Sequence, residues 1–549
     1  MVVGDTVIGG HAPMSRWQRY FPDSAPKVAT GWQWTELVPP SRLFGANGMT
    51  EDEHGRLLVT QAFGSQVTAI DLTSGRHDIL ARPSMGVVGP DDGICAHDGT
   101  FFATEPFTGA VGRLDRDNVW RTVRDDLPGA NGITMDHRRQ RLFVDEFREG
   151  GRLLELDPFG GDPPRVLLED LNGPNALAMG PDGRLYFPLV YGNEVWCYDL
   201  DENRGFRVAG ELQHPTAVKF DRDGRLLVSE AAIGHITAID VTTGARTTVL
   251  ELDPAIDNVS VGHDNRLFVS HFDSGLVTEI ASGGKRVLSP AGLLGPHGVS
   301  VDTDGSILVA DGLSVLVVRA DASVSKLCRV LVDLPFLVTA IVPSRRGPSG
   351  PRPSGDAATF VMSSFPLGII EWRPGGQPRA LDKHRRFDQP SGLVADPATD
   401  GRFLVCERGA GTVVSIGLVE PTQVIASALR EPVAVTRDAS GCVWISQSGA
   451  TPVVAVAPDG GVRTVEGVQE AEGLAAADGM VLVADVGARR LVAIDQRSAS
   501  VTTVVDDAPI GRPDGGHVPF AFCSVAAHPH GGFVIGCNGD GSLRWLRRT

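Results

Sequence analysis

Long apolar runs are missing from this chain: no stretch approaches the roughly 18 uninterrupted apolar residues of a transmembrane helix. A basic excess is missing too. Lys and Arg number 50 against 67 Asp and Glu, a net charge of -17, which leaves no general basic surface for nucleic acid or an anionic membrane. The start, MVVGDTVIGGHAPMSRWQRYFPDS, has no charged segment followed by a continuous apolar one. The expectation is a cytoplasmic protein with neither nucleic acid nor membrane as partner. The seven cysteines (Cys95, Cys197, Cys328, Cys406, Cys442, Cys523, Cys537) are odd in number, far apart and without CxxC spacing; they read as reduced, buried thiols rather than zinc ligands or a redox pair. Aromatic residues make up 6% of the chain, with four tyrosines in all, little for an aromatic-rich binding face. Long segments of 3.6-residue periodicity are nearly absent, against α/β barrels and helical solenoids.

What is present is a repeat. A small-residue turn, an apolar strand, Asp-Gly or similar, and a second strand recur as ANGMTEDEHGRLLVTQ, ANGITMDHRRQRLFVDE, PTAVKFDRDGRLLVSE, IDNVSVGHDNRLFVSH, PHGVSVDTDGSILVAD and PVAVTRDASGCVWISQ. Each continues with a third alternating strand, such as SQVTAIDL, and usually a fourth, such as RHDIL. About twelve units of roughly 40 residues, four short strands each, are the signature of β-propeller blades. Twelve exceeds the usual four to eight blades per ring, so the fold class is all-β, two tandem six-bladed β-propellers. The expected domains are 1–282 and 283–549, with WTELVP closing blade six and GKRVLSP closing blade twelve. PSRRGPSGPRPSGDAA (343–358) reads as a loop inside a diverged eighth unit.

Two positions in each unit carry the polar chemistry. Position one, the first residue of the inner strand, reads Asn47, Asp91, Asn131, Asn175, Thr216 and Asp257 through the first ring, with Asn258 following. Position two, just after the second strand, reads Gln61, Glu105, Glu146, Leu189, Glu230 and His271. Equivalent positions converge on a propeller axis. A circle of carboxylates and carboxamides suffers repulsion and desolvation, which an oxygen-ligated hard cation, calcium above all, relieves. The second ring is an internal control: its position one reads His297, Thr339, Ser391, Val433, Glu472 and Cys523, so turn geometry alone does not demand Asn and Asp. That ring reads as structural or as an interaction partner.

These residues resemble calcium-dependent six-bladed lactonases of the gluconolactonase and regucalcin type, together with the paraoxonases. ANGI (130–133) and PNAL (174–177) look like the Pro-Asn-Gly-Leu strand of that superfamily, whose Asn is a calcium ligand. DNVSV (257–261) followed by VSHF is similar to the paraoxonase Asp-Asn-Ile-Ser-Val strand and the His beyond it. Asn47 stands where those families have Glu, unless Asp91 takes that role, and Thr216 stands where a second carboxamide is expected. The resemblance implies calcium held among Asn47, Asp91, Asn131, Asn175, Asp257 and Asn258, and a small lactone or ester as substrate. The metal would polarise the carbonyl and stabilise the oxyanion, with Glu105, Glu146, Glu230 or His271 as general base. His271 is the one whose ordinary pKa lies nearest neutrality. A lyase or isomerase at the same site, or a non-catalytic binding scaffold, is the alternative.

Overall fold

The computed structural model describes residues 25–511 and 522–549, apart from 331–332, 334–336, 345, 348–349, 352–358, 366–367, 382–386, 418–420 and 450. Residues 1–24 and most of the Pro/Gly/Ser-rich stretch therefore lie outside the described residues. Within them there is no α-helix, only one 3-10 turn at Pro83–Met85. Twelve antiparallel sheets form the blades, eleven of four strands and one, blade eleven, joined by Lys27–Val28 as a fifth strand; a two-stranded ribbon pairs Arg346–Gly347 with Gly350–Pro351. The alternation of apolar and polar residues produces this layout: buried faces of neighbouring blades stack into small cores, such as Leu57, Val59, Ile70 and Phe268 between blades six and one.

The inner strand of blade six, Ile256–Val261, lies against that of blade one, Ala46–Glu51, and Pro296–Val301 of blade seven lies against Ser524–Ala527 of blade twelve. Two six-bladed rings are thus closed. The manner of closure corrects the sequence expectation. Gly284–Ser289 pairs with Val277–Ala281 and completes blade six. Trp32–Val38 pairs with Leu543–Arg548 and completes blade twelve. A boundary at 282 would cut a strand from ring one and assign ring two's last strand to the wrong ring. Side-chain complementarity explains the choice. Trp32 and Trp34 pack on the core of blades eleven and twelve, the Arg548 and Arg544 guanidinium groups lie 5.4 and 5.6 Å from their ring centroids, and Arg544 pairs with Glu36 at 2.9 Å. In blade six, Arg286 pairs instead with Glu279 of the neighbouring strand. Ring one is therefore inserted between the outermost strand of ring two and the rest of it.

The rings meet asymmetrically. Loops of ring one blades one, five and six (Phe63, Ala231, Ala255, Phe272) form one apolar cluster with Leu313 and Val330 of blade seven. The buried Asp273 carboxylate is met by Lys326 at 2.5 Å and Arg329 at 3.3 Å.

Removing residues 1–40 should expose the free edge of Leu543–Arg548. The expected outcome, read by limited proteolysis with mass mapping, is cleavage concentrated in 296–548 while 46–289 stays resistant; cleavage concentrated in 46–289 would contradict this closure.

Candidate functional site

Each ring-one inner strand is entered through a residue with left-handed backbone two places before position one: Gly45, Gly89, Gly129, Gly173, His214 and Ala255, with φ between 57° and 77°. Most are glycine because only glycine adopts this without strain. The ladder then skips: register shifts fall between Ala46 and Met49, Ala130 and Ile133, Pro215 and Ala217, and Ile256 and Val259. These bulges release position one and the residue after it from strand pairing and turn them toward the axis. Hydroxyls stitch neighbouring blades at the same level. Thr60 donates to the Asp91 carbonyl, Thr104 to that of Asn131, Ser229 to that of Asp257 at 3.1 Å, and Ser270 to that of Asn47 at 2.7 Å.

Position two serves a different purpose from the one its residue types suggest. Its side chains accept the backbone N–H three residues before position one: Gln61 from Phe44 at 3.0 Å, Glu105 from Val88 at 2.9 Å and Glu230 from Gln213 at 2.7 Å. Ring two repeats the latch, Asp311 accepting from Leu294 at 3.0 Å, Gln447 from Arg430 at 2.9 Å and Asp485 from Gln469 at 3.0 Å. In blade three the equivalent residue is Pro128, which has no N–H, and the buried Glu146 pairs with Arg148 and Arg152 instead. His271 reaches the Asp253 carbonyl at 3.3 Å. Its assignment as the group titrating nearest neutrality does not hold, because burial pushes the imidazole down to about 4. Burial raises Glu105 to about 7.

The structure brings together a different set on the axis. Asn47 acts on the Asp257 carboxyl and Asn131 on that of Asp91, each favouring the charged form. Asn258 Nδ2 lies 3.4 Å from Asp92 Oδ1. Asp92, Asp145 and Lys219 join them, and the sequence reading missed all three. Asp92 occupies the bulge place that is Gly48, Gly132, Ala176 and Ala217 in other blades; a Cβ on Gly48 would sit 2.3 Å from its Oδ1. Asp145 replaces the stitching hydroxyl of the other blades, and the N–H of Gly132 donates to its Oδ1 at 2.9 Å. A signal existed in each case: the doubled Asp of PDDG and a carboxylate where neighbours carry Thr or Ser. Two predicted residues stay apart. Asn175 turns its oxygen to the N–H of Ala176 at 2.7 Å, and Thr216 bonds the Asp257 carbonyl at 2.6 Å.

Four carboxyls crowd one buried point. Burial, then Asp92, raises Asp91 to about 7; burial and the neighbouring acids raise Asp145 to about 8; burial, then Asp91 and Asp92, holds Asp257 well above the usual carboxylate range. Asn131 Oδ1, Asn258 Oδ1 and Asp145 Oδ2 are buried acceptors with no hydrogen-bond donor. Among the described residues no three His, Cys, Asp or Glu side chains are grouped to hold a metal by themselves, so a cation here must draw carboxamide oxygens into its shell. The donor set is all oxygen and anionic, which fits calcium or magnesium and not a thiophilic metal.

The loops that lead into position one carry an aromatic collar. Phe63 and Phe107 meet edge to face at 6.2 Å, and Phe147 and Tyr191 at 5.3 Å. Phe107 and Tyr191 are half-exposed, at 50% and 46%. Their rings lie over the glycines that lead into position one, where a Cβ on Gly89 or Gly173 would come within 2.4 or 2.6 Å.

No protein-family model and no curated protein matches the chain. Solved structures similar to it include a streptogramin B lyase (18% identity, 51% of this chain and 95% of that one, TM-score 0.38). A putative gluconolactonase (14%, 48% and 95%, 0.38) and a gluconolactonase from Xanthomonas campestris (17%, 46% and 93%, 0.37) are others. Each spans about one ring's share of the chain. Likeness at this level says nothing of activity.

The raised carboxyls set a pH dependence. Unfolded, Asp91 and Asp145 ionise near about 4; folded without a cation, they keep their protons to about 7 and about 8. The unfolded chain binds fewer protons across that window, so stability falls as pH rises through it. Chelator-treated protein should melt about 5 °C or more lower at pH 8 than at pH 5, with added calcium restoring the loss at pH 8 and doing little at pH 5. Calorimetry showing the same melting temperature in all four conditions would contradict this reading of the cluster.

Proposed function

We propose that ring one is a calcium-dependent hydrolase that opens a lactone or ester at its axial mouth. The observation that carries this reading is the set of donor-less buried oxygens on Asn131, Asn258 and Asp145 beside carboxyls that repel one another. Asp91, Asp92, Asp257, Asn131 and Asn258 would hold the cation, with Asn47 fixing Asp257. A bound calcium supplies polarisation of the carbonyl and charge for the oxyanion. Asp91 and Asp257, the carboxyls only partly shielded from solvent, face the mouth, whereas Asp92 and Asp145 are wholly buried behind them. Asp91, ionised once a cation is bound, would orient the attacking water and accept its proton. Glu105, Glu230 and His271 act one step back, holding the loops that carry position one. The aromatic collar suits a substrate with an apolar body and disfavours a polyol.

A panel of alkyl γ-lactones, aryl esters and sugar lactones, assayed with calcium and with chelator, tests the reading. Calcium-dependent turnover of the apolar members, with products heavier by one water, is expected; an unchanged product mass would assign elimination or isomerisation instead. Asp257→Ala should lose both bound calcium and activity. His271→Ala should keep its calcium and hold kcat within about tenfold of the parent, far from the 10²-fold or greater loss of a general base, and should cost melting temperature instead. Turnover indifferent to both chelator and Asp257→Ala would sink the proposal.

A further inference from the structure

The six inner strands of ring one, from Ala46 to Val261, contain one cationic residue, Lys219. It stands three places after position one, where the other blades carry Thr50, Ile94, Thr134, Ala178 and Ser260. Its ammonium donates to the Leu177 carbonyl of the adjacent inner strand at 3.3 Å. It forms no ion pair within 4.0 Å among the described residues, yet of the influences favouring the charged form of the buried Asp92, its field is the largest. The choice of residue is telling. The chain has five lysines against 45 arginines, and a lysine is a compact point charge on a flexible stem, where an arginine would demand a planar, multidentate partner.

We propose that Lys219 is the built-in counter-ion of the ring-one axis, occupying by charge the place of a second cation and thereby limiting the site to one divalent ion of moderate affinity. The inference rests on the cation-binding reading of the cluster. Four carboxyls, Asp91, Asp92, Asp145 and Asp257, surround the point, and one divalent ion neutralises two of them. Lys219, whose field acts on Asp92, offsets a third, while the Oδ1 atoms of Asn131 and Asn258 have no donor. Like charges a few ångströms apart in a poorly solvated tunnel repel strongly, so the ammonium that steadies the empty site also opposes a divalent ion entering it.

The consequence is a pair of effects with opposite signs. Lys219→Met, close in length and without charge, should lower the melting temperature of chelator-treated protein. It should also raise calcium affinity about 10- to 100-fold or raise the stoichiometry from one to two, read by isothermal titration calorimetry with calcium chloride and by metal analysis after dialysis. Lys219→Arg should restore one calcium with affinity near the parent's. If the parent binds calcium and Lys219→Met binds it with the same affinity and stoichiometry, Lys219 is not the counter-ion. If neither binds calcium, the cation-binding reading itself fails, and the two failures are told apart by the parent's titration alone.

Discussion

The entry of the chain to both axes depends on a hydrogen bond that recurs in blades one, two, five, seven, ten and eleven: the side chain that ends the second strand accepts the N–H three residues before position one. That N–H sits just outside the inner strand, where no ladder partner reaches it. Where it is buried, as at Phe44, Val88 and Leu294, leaving it without an acceptor would cost about 1–3 kcal/mol. Gln61, Glu105, Glu230, Asp311, Gln447 and Asp485 remove that cost and fix the angle at which the next residue enters the axis. Blade three tests the rule from the other side. With Pro128 there is no N–H to hold, and Glu146 turns to Arg148 and Arg152 instead.

Because the latch is common to both rings, it cannot be what distinguishes them. The difference lies in what the bulge presents to the axis. Ring one presents carboxyls, carboxamides and one ammonium. Ring two presents His297, Thr339, Ser391, Val433, Glu472 and Cys523, most of them around a largely apolar cavity of about 80 Å3; Thr339 and Ser391 spend their hydroxyls on wall carbonyls of Ser363 and Pro432, and Glu472 accepts from the N–H of Cys523 and from Asn538 Nδ2. The same scaffold thus carries an electrostatically stressed centre in one ring and a relaxed one in the other. Charge that repels itself in a buried place persists only where something else compensates, and this separates a functional centre from a turn motif more sharply than residue type does.

The blade count, the four-strand repeat and the register of position one were legible in the sequence, since all are local: alternation, Asp-Gly turns and a fixed offset from them. The ligand circle was legible in part. Asp92 was hidden because the bulge delivers two consecutive residues to the axis, not one, and in most blades the second is Gly or Ala. Asp145 was hidden one place before a glutamate that drew attention to itself. The role of position two was misread because acids and a histidine at matched strand ends look alike whether they face a substrate or a backbone N–H; burial and partner decide that, and neither is local. Ring closure was misread for a related reason. WQWTELV and GKRVLS are both plausible outer strands, and only the match of Trp32 and Trp34 to Arg548 and Arg544 chooses between them.

That closure carries a consequence for how the chain assembles. Every contact that closes ring one joins residues between 46 and 289, which are contiguous. Ring two is completed by strands about 510 residues apart, Trp32–Val38 and Leu543–Arg548. Loop-closure entropy grows only as the logarithm of length, so the distant pairing is affordable at equilibrium, but in time it must come last. A folded ring one shortens the effective loop: it holds Pro40 beside Leu293 through a parallel bridge, which places the leading strand next to the start of blade seven. The ring with the acidic centre is therefore also the clamp that makes the second ring's closure local, and a lesion in its axis would reach ring two through assembly even where the two share no chemistry.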